Sequence, residues 1–242
     1  MRAAVLPHAP ALLESVRRRR SAAVATVSEA AAAAGRELEG DLVLVSPHAR
    51  SARVYEEPRG SLASFGVPDS PTGAPALDGL SEEIERSWSA GFERGEADHG
   101  VVVPLRLMGP GGRVVALGLP EWTGPGARPI AAAIAAGKGL AAVLGRIESL
   151  PPVVFSAHTS AALTPSAPLT ERPEGRVLHD AIVTALKQDV SGLASIPAEL
   201  WEQGGSCGAG PLTALGLLFE GPARVTAEEE PFGVGYVVAG LP

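Results

Sequence analysis

The sequence predicts an α/β fold with helices on both faces of one sheet. Two observations carry this. Short apolar runs alternate with long alanine-rich segments through most of the 242 residues. No linker or internal repeat interrupts them, so residues 1–242 read as one domain. The hydrophobic content of 45% suits a chain that buries a sizeable core rather than a disordered one.

The elements follow in order. Ala3–Leu6 is a buried strand that stops at Pro7-His8. Leu12–Leu38 is alanine-rich, and alanine has the highest helix propensity, so this segment reads as one long helix. Asp41–Val45 is a second strand, halted at Ser46-Pro47-His48. Arg53–Tyr55 is a short strand, and Phe65–Ala76, with its Gly and Pro, is loop. A helix runs from Ser81 to about Glu93. Val101–Val103 is a short apolar run beside Asp98-His99-Gly100, and Val114–Leu119 is a strand. Arg128–Ile147 is helical despite Gly137 and Gly139. Val153–Ser156 is a strand that leads to His158. Arg176–Gln188 is a helix, Ala198–Gln203 and Pro211–Phe219 are two more around a Gly-rich turn, and Gly233–Ala239 is the last strand.

Several function classes are excluded or disfavoured. The net charge of −7 argues against nucleic acid held by global charge. A single cysteine excludes an internal disulfide framework. No apolar run reaches the ~20 residues of a membrane span, and the N-terminus lacks the layout of a signal peptide, so the expected location is the cytoplasm. Arg17–Arg20 reads as a solvated helix face, His179 as a structural or exposed helix residue, and Glu228–Glu230 as a solvated strand edge or loop. The Gly-rich stretches at 109–112 and 124–126 are turns without the Lys-Ser/Thr of a phosphate loop. No serine-nucleophile elbow is present.

Three of the five histidines, His8, His48 and His158, follow predicted strands. Sites in open α/β sheets form beyond the carboxyl ends of strands, so these rings converge if their strands are parallel neighbours. Pro7 and Pro47 stiffen the chain before His8 and His48. Neutral imidazole is the commonest metal-ligating side chain. Pattern alone leaves a metal site and ordinary loop histidines both open.

A family likeness appears in ordered short motifs: Leu6-Pro7-His8-Ala9-Pro10, Val45-Ser46-Pro47-His48, Phe65-Gly66-Val67-Pro68 and Asp98-His99-Gly100-Val101-Val102-Val103-Pro104-Leu105. Leu163-Thr164-Pro165, Ser206-Cys207-Gly208-Ala209-Gly210-Pro211-Leu212 and Pro231-Phe232-Gly233-Val234-Gly235-Tyr236 follow. The chain resembles the class III extradiol ring-cleavage dioxygenase superfamily, including its Memo-like branch. The resemblance implies a three-layer α/β/α sandwich around a mixed central sheet. It implies a divalent metal, iron(II) first, on His8 and His48, with His99 positioning substrate or oxygen. Asp98, beside it, either orients His99 or caps a turn. The resemblance implies a small aromatic diol and dioxygen as substrates; charge and the lack of a long apolar run argue against a nucleic-acid or membrane partner, and a homo-oligomer stays open. Two imidazoles and a carboxylate would occupy one face of an octahedral ion and leave positions for both substrates. An imidazole with near-neutral pKa would move the hydroxyl proton.

Two positions depart from the family pattern. Registered on Leu163-Thr164-Pro165, the acid-base histidine falls on Ala161, which transfers no proton; His158, three residues earlier at the family's aspartate position, is the candidate replacement. In place of a glutamate, Cys207 matches the cysteine of the Memo-like branch, and a thiolate brings zinc or copper into consideration. Cys207 as a plain buried hydrophobe is the alternative, with Glu202 as the fallback carboxylate. Three functions follow: ring cleavage, a Memo-like metal protein with a redox or partner-binding role, and a degenerate structural or regulatory subunit without metal.

Overall fold

The computed structural model describes residues 2–16, 21–38, 40–67, 72–88, 90–93, 95–109, 111–122 and 128–242, and of residues 92 and 93 the backbone only. The strands are β1 (Ala3–Leu6), β2 (Leu42–Ala49), β3 (Arg53–Tyr55), β4 (Arg59–Gly60), β5 (Thr72–Gly73), β6 (Gly91–Glu93), β7 (Val114–Pro120), β8 (Val153–Ser156), β9 (Arg224–Glu229) and β10 (Tyr236–Leu241). The α-helices are α1 (Ala22–Glu37), α2 (Asp78–Trp88), α3 (His99–Met108), α4 (Ile130–Leu144), α5 (Pro173–Gln188), α6 (Ala198–Gly204) and α7 (Ala209–Leu218).

Among the described residues, eight strands form one mixed sheet in the order β6-β3-β7-β2-β8-β1-β10-β9. The centre, β7-β2-β8-β1, is parallel throughout. Antiparallel β3 and β10 close it on either side. Side chains alternate across the pleat. Val5, Val43, Val45, Leu117 and Phe155 face α4, α5 and α7, whereas Ala4, Leu6, Leu44, Ala116 and Val154 face α1 and α3. The molecule is thus the expected three-layer α/β/α sandwich. No helix among the described residues is long and apolar enough to cross a membrane.

The element boundaries shift where caps and packing override propensity. The first long helix begins only at Ala22, because the Ser21 hydroxyl caps it by accepting from Val24 N–H at 3.5 Å. Pro10–Leu12 is a separate 3-10 turn, and Arg17–Arg20 lie outside the described residues, as do residues 124–126. β2 runs on through His48, held by β7 up to the Ala49–Pro120 pair. The Val101–Val103 run lies inside α3, where all three valines are wholly buried and Asp98 caps the helix; burial outweighs the modest helix cost of β-branching. The helix expected to reach Glu93 ends at Trp88, and Gly91–Glu93 pairs with β3 instead. Glu228 and Glu229 belong to edge strand β9, where charged side chains discourage pairing with other chains.

Glycine lets α4 and α7 touch. A methyl at Gly137 would collide with the Gly210 carbonyl, and one at Gly210 would lie 2.9 Å from the Ala133 oxygen. Alanine gains about 1 kcal/mol of helix propensity over glycine, but forcing backbones apart costs about 1–3 kcal/mol. Gly137→Ala is therefore expected to lower the urea midpoint. Gly139→Ala, which meets only the Trp88 side chain at 3.3 Å, is expected not to lower it. Equal midpoints for the two variants would refute the close crossing.

Candidate metal centre

Strand order brings the histidines together. β8 lies between β1 and β2, so His8 after β1, His48 at the end of β2 and His158 after β8 all emerge from the carboxyl ends of adjacent parallel strands. His8 is 3% exposed, and its Nε2 lies 2.9 Å from His48 Nε2. Their Nδ1 atoms are tied outward. His8 Nδ1 pairs with Ser156 Oγ at 2.9 Å and His48 Nδ1 with Glu121 Oε1 at 3.3 Å. Such outer partners fix ring orientation, and both Nε2 atoms face a common centre. Ser156 ends β8 and Glu121 follows β7, so all four central strands serve the site.

His99 is the first residue of α3, and its ring stacks on His48 with centroids 4.3 Å apart and planes at 28°. Phe65 meets His99 edge-on at 5.1 Å from a 46% exposed position. Asp98 both caps α3 and anchors this side: Oδ1 accepts from Gly100 N–H at 2.6 Å and Ser46 Oγ at 2.7 Å, and Oδ2 from the Tyr55 hydroxyl at 2.6 Å. Gly100 is required, because a Cβ there would press on the Ser46 hydroxyl, the Asp98 carboxylate and the His48 ring.

The other side is built by the turn after α6. Gly205, at φ +67°, ends that helix in the left-handed region. Ser206 Oγ then donates to the His158 carbonyl at 2.6 Å and accepts from Gly208 N–H at 2.9 Å. Cys207 Sγ comes to lie 3.0 Å from His158 Nδ1 and 3.6 Å from His8 Nε2. Cys207 N–H points at His158 Nε2 over 3.3 Å. With that nitrogen accepting, the ring proton sits on Nδ1 and faces the sulfur.

Electrostatics follow from burial and proximity. Burial opposes ionisation of Cys207, but charge on His158 and His8 outweighs it and holds the thiol well below its ordinary value. Burial depresses His8. Burial pulls His48 the same way, but hydrogen bonding to Cys207 and Glu121 lifts it to about 10. Burial, then charge on His48 and His8, push His99 down to about 3, so its ring stays neutral at pH 7.

The donors suit a transition metal. They fall into two groups, His8-His48-His99 and His8-His158-Cys207, with ligating atoms within 4.8 Å of one another in each. Bonds of 2.0–2.3 Å to one tetrahedral ion imply ligand separations of roughly 3.3–3.8 Å, close to those between the rings and the thiol. Nitrogen and sulfur donors favour zinc, copper or iron over magnesium or calcium. His8 is common to both groups, and hydrogen bonding between His48 and Cys207 links them. Glu202 is solvent-exposed on α6 and belongs to neither group. Ala161 is buried with its N–H on the Gly205 carbonyl at 2.9 Å, so an apolar residue stands where the resemblance expects a histidine. His158, three residues earlier, does reach the cluster. His179 is buried outside it, with Nδ1 2.6 Å from Thr159 Oγ1. Sequence reasoning missed Glu121, Ser156, Ser46 and Tyr55; the first two carried a signal, since each is a polar residue at a strand end.

Comparison with known proteins gives the fold and no more. No protein-family model and no curated protein matches the chain. Among solved structures it is similar to the uncharacterized protein JW3007 from Escherichia coli K12, with a TM-score of 0.62 at 18% identity over 98% of each chain.

Proposed function

We propose that this chain is a metal-dependent oxidoreductase of the extradiol dioxygenase type, acting on a small aromatic diol with dioxygen. The observation that carries the reading is the pair of Nε2 atoms on His8 and His48, 2.9 Å apart, each presented by an outward-tied Nδ1. These two residues would hold the ion. Iron(II) bound there would supply the electron-transfer chemistry and open positions that a diol and dioxygen require. The protein's own groups handle protons and water. His99, neutral beside His48, accepts a hydrogen bond from a diol hydroxyl and positions the substrate. His158 carries a proton at Nδ1 and takes over the role lost at Ala161. Phe65 covers His99 and offers an apolar edge to the ring.

A second reading rests on Cys207. A thiolate beside the centre is a soft donor, and it supports a Memo-like metal protein holding copper or zinc without ring cleavage. Oxygen uptake separates the two. Protein purified anaerobically and loaded with iron(II) is expected to consume dioxygen with one of a panel of catechols and yield a yellow ring-opened product. Full iron occupancy with no uptake on any catechol defeats the first reading, and copper or zinc in protein purified without added metal supports the second.

A further inference from the structure

We infer that Tyr236 contacts the ligand bound at the centre, its hydroxyl donating a hydrogen bond to an ionised oxygen of the diol. The inference deepens the proposed function and rests on its reading of the site.

Position is the first support. The chain has two tyrosines, and Tyr236 opens β10 at 3% exposure. The β1–β10 ladder pairs Ala3, Ala4 and Val5 with Leu241, Gly240 and Ala239. The same count carried beyond Leu6 sets His8 level with Tyr236. Tyr236 lies in one buried cluster with Leu6 and Ala161. The segment that carries His158 turns onto β10 at this point: Thr159 N–H donates to the Gly235 carbonyl at 2.9 Å, and Gly235 N–H to the Ser160 carbonyl at 2.8 Å. Tyr236 therefore stands on the His158 and Cys207 side of the centre, while His99 stacks on His48 at the other.

An unused hydroxyl is the second support. A buried phenol ordinarily finds a hydrogen-bond partner, as Tyr55 does at Asp98. Among the described residues, none hydrogen-bonds the Tyr236 hydroxyl. Nor is its oxygen sealed in: the sealed, unpartnered polar atoms among the described residues are Trp122 Nε1 and Trp201 Nε1. The hydroxyl thus borders space that a ligand can enter. Burial and the charge of nearby Cys207 hold its pKa above the ordinary tyrosine value, so it keeps its proton at neutral pH. Ala161, in the same cluster, offers no polar group in its place. A diol then meets unlike partners at its two oxygens. His99 accepts from the oxygen that keeps its proton, and Tyr236 donates to the oxygen that has lost one. This pairing fits the monoanion of a diol better than its neutral or doubly ionised form.

Binding of 4-nitrocatechol to anaerobic, cobalt(II)-loaded protein tests this, read from the colour of the ligand. Tyr236→Phe keeps the ring and removes the hydroxyl. It is expected to weaken 4-nitrocatechol by about tenfold or more, with cobalt(II) affinity and circular dichroism as in wild type. In wild-type protein labelled with 3-fluorotyrosine, the ligand is expected to shift the fluorine resonance of Tyr236 and leave that of Tyr55, which Tyr55→Phe identifies. This second measurement needs no variant at Tyr236. Equal affinity in wild type and Tyr236→Phe, or an unmoved Tyr236 resonance under saturating ligand, overturns the inference and leaves the reading of the site standing. So does loss of cobalt(II) from a folded Tyr236→Phe protein, which would assign the hydroxyl to the metal's surroundings instead. Failure of wild-type cobalt protein to bind 4-nitrocatechol overturns the inference and the diol reading together.

Discussion

His8→Asn is expected to remove binding of cobalt(II) and copper(I) alike, by more than about 100-fold, which exceeds the loss usual for a residue that only supports a ligand. Asparagine places an amide near the position of Nδ1, where Ser156 Oγ waits, but has no atom at the position of Nε2. The variant therefore keeps a polar partner for the buried serine and loses only the donor that both triads share. Calorimetric titration measures both. Near-wild-type affinity in His8→Asn for either metal would remove His8 from the centre of the site.

Asp98→Ala is expected to cost the most stability of the substitutions near the site. The carboxylate is shared by the Gly100 N–H that opens α3, the Ser46 hydroxyl and the Tyr55 hydroxyl. Loss of the cap costs about 1 kcal/mol, and each buried donor left unpaired costs about 1–3 kcal/mol, so a total of roughly 3–5 kcal/mol is expected. His99 begins the same helix, and metal affinity is expected to fall with stability. Burial alone would raise the Asp98 pKa, but charge on His48 and the Tyr55 and Ser46 donors hold it below the ordinary carboxylate range. With the folded value below the unfolded one, the contribution is complete above about pH 4 and is lost as pH falls through the folded value. Wild-type stability should therefore fall more steeply with acid than that of Asp98→Asn. Denaturant midpoints across that range decide it, and parallel curves would contradict the ionised, buried carboxylate.

Much of the architecture was legible because it rests on local pattern. The apolar runs of β1, β2, β7 and β8 and the alanine-rich stretches of α1 and α4 announce themselves within windows of a few residues. α3 was not legible, since three consecutive valines carry no helical periodicity; the Asp98 cap and burial on every side make the helix. The edge strand β6 was missed, and β9 was anticipated only at Glu228–Glu230 as strand edge or loop, for a related reason: Gly91–Glu93 and Arg224–Glu229 are strands because a neighbour offers hydrogen bonds, not because their side chains demand it.

The candidate site divides the same way. The sequence by itself determined that His8 and His48 sit rigidly behind prolines at strand ends, and that Ala161 moves no proton. It also supplied a single cysteine in a Gly-rich turn. Only the tertiary structure decided that β8 separates β1 from β2, that Glu121 and Ser156 aim the two rings, and that Cys207 lies between His8 and His158. Strand order and side-chain grouping are settled by contacts between residues far apart in the chain. A local pattern specifies which residues reach the end of a strand; the packing of the whole sheet specifies what they meet there.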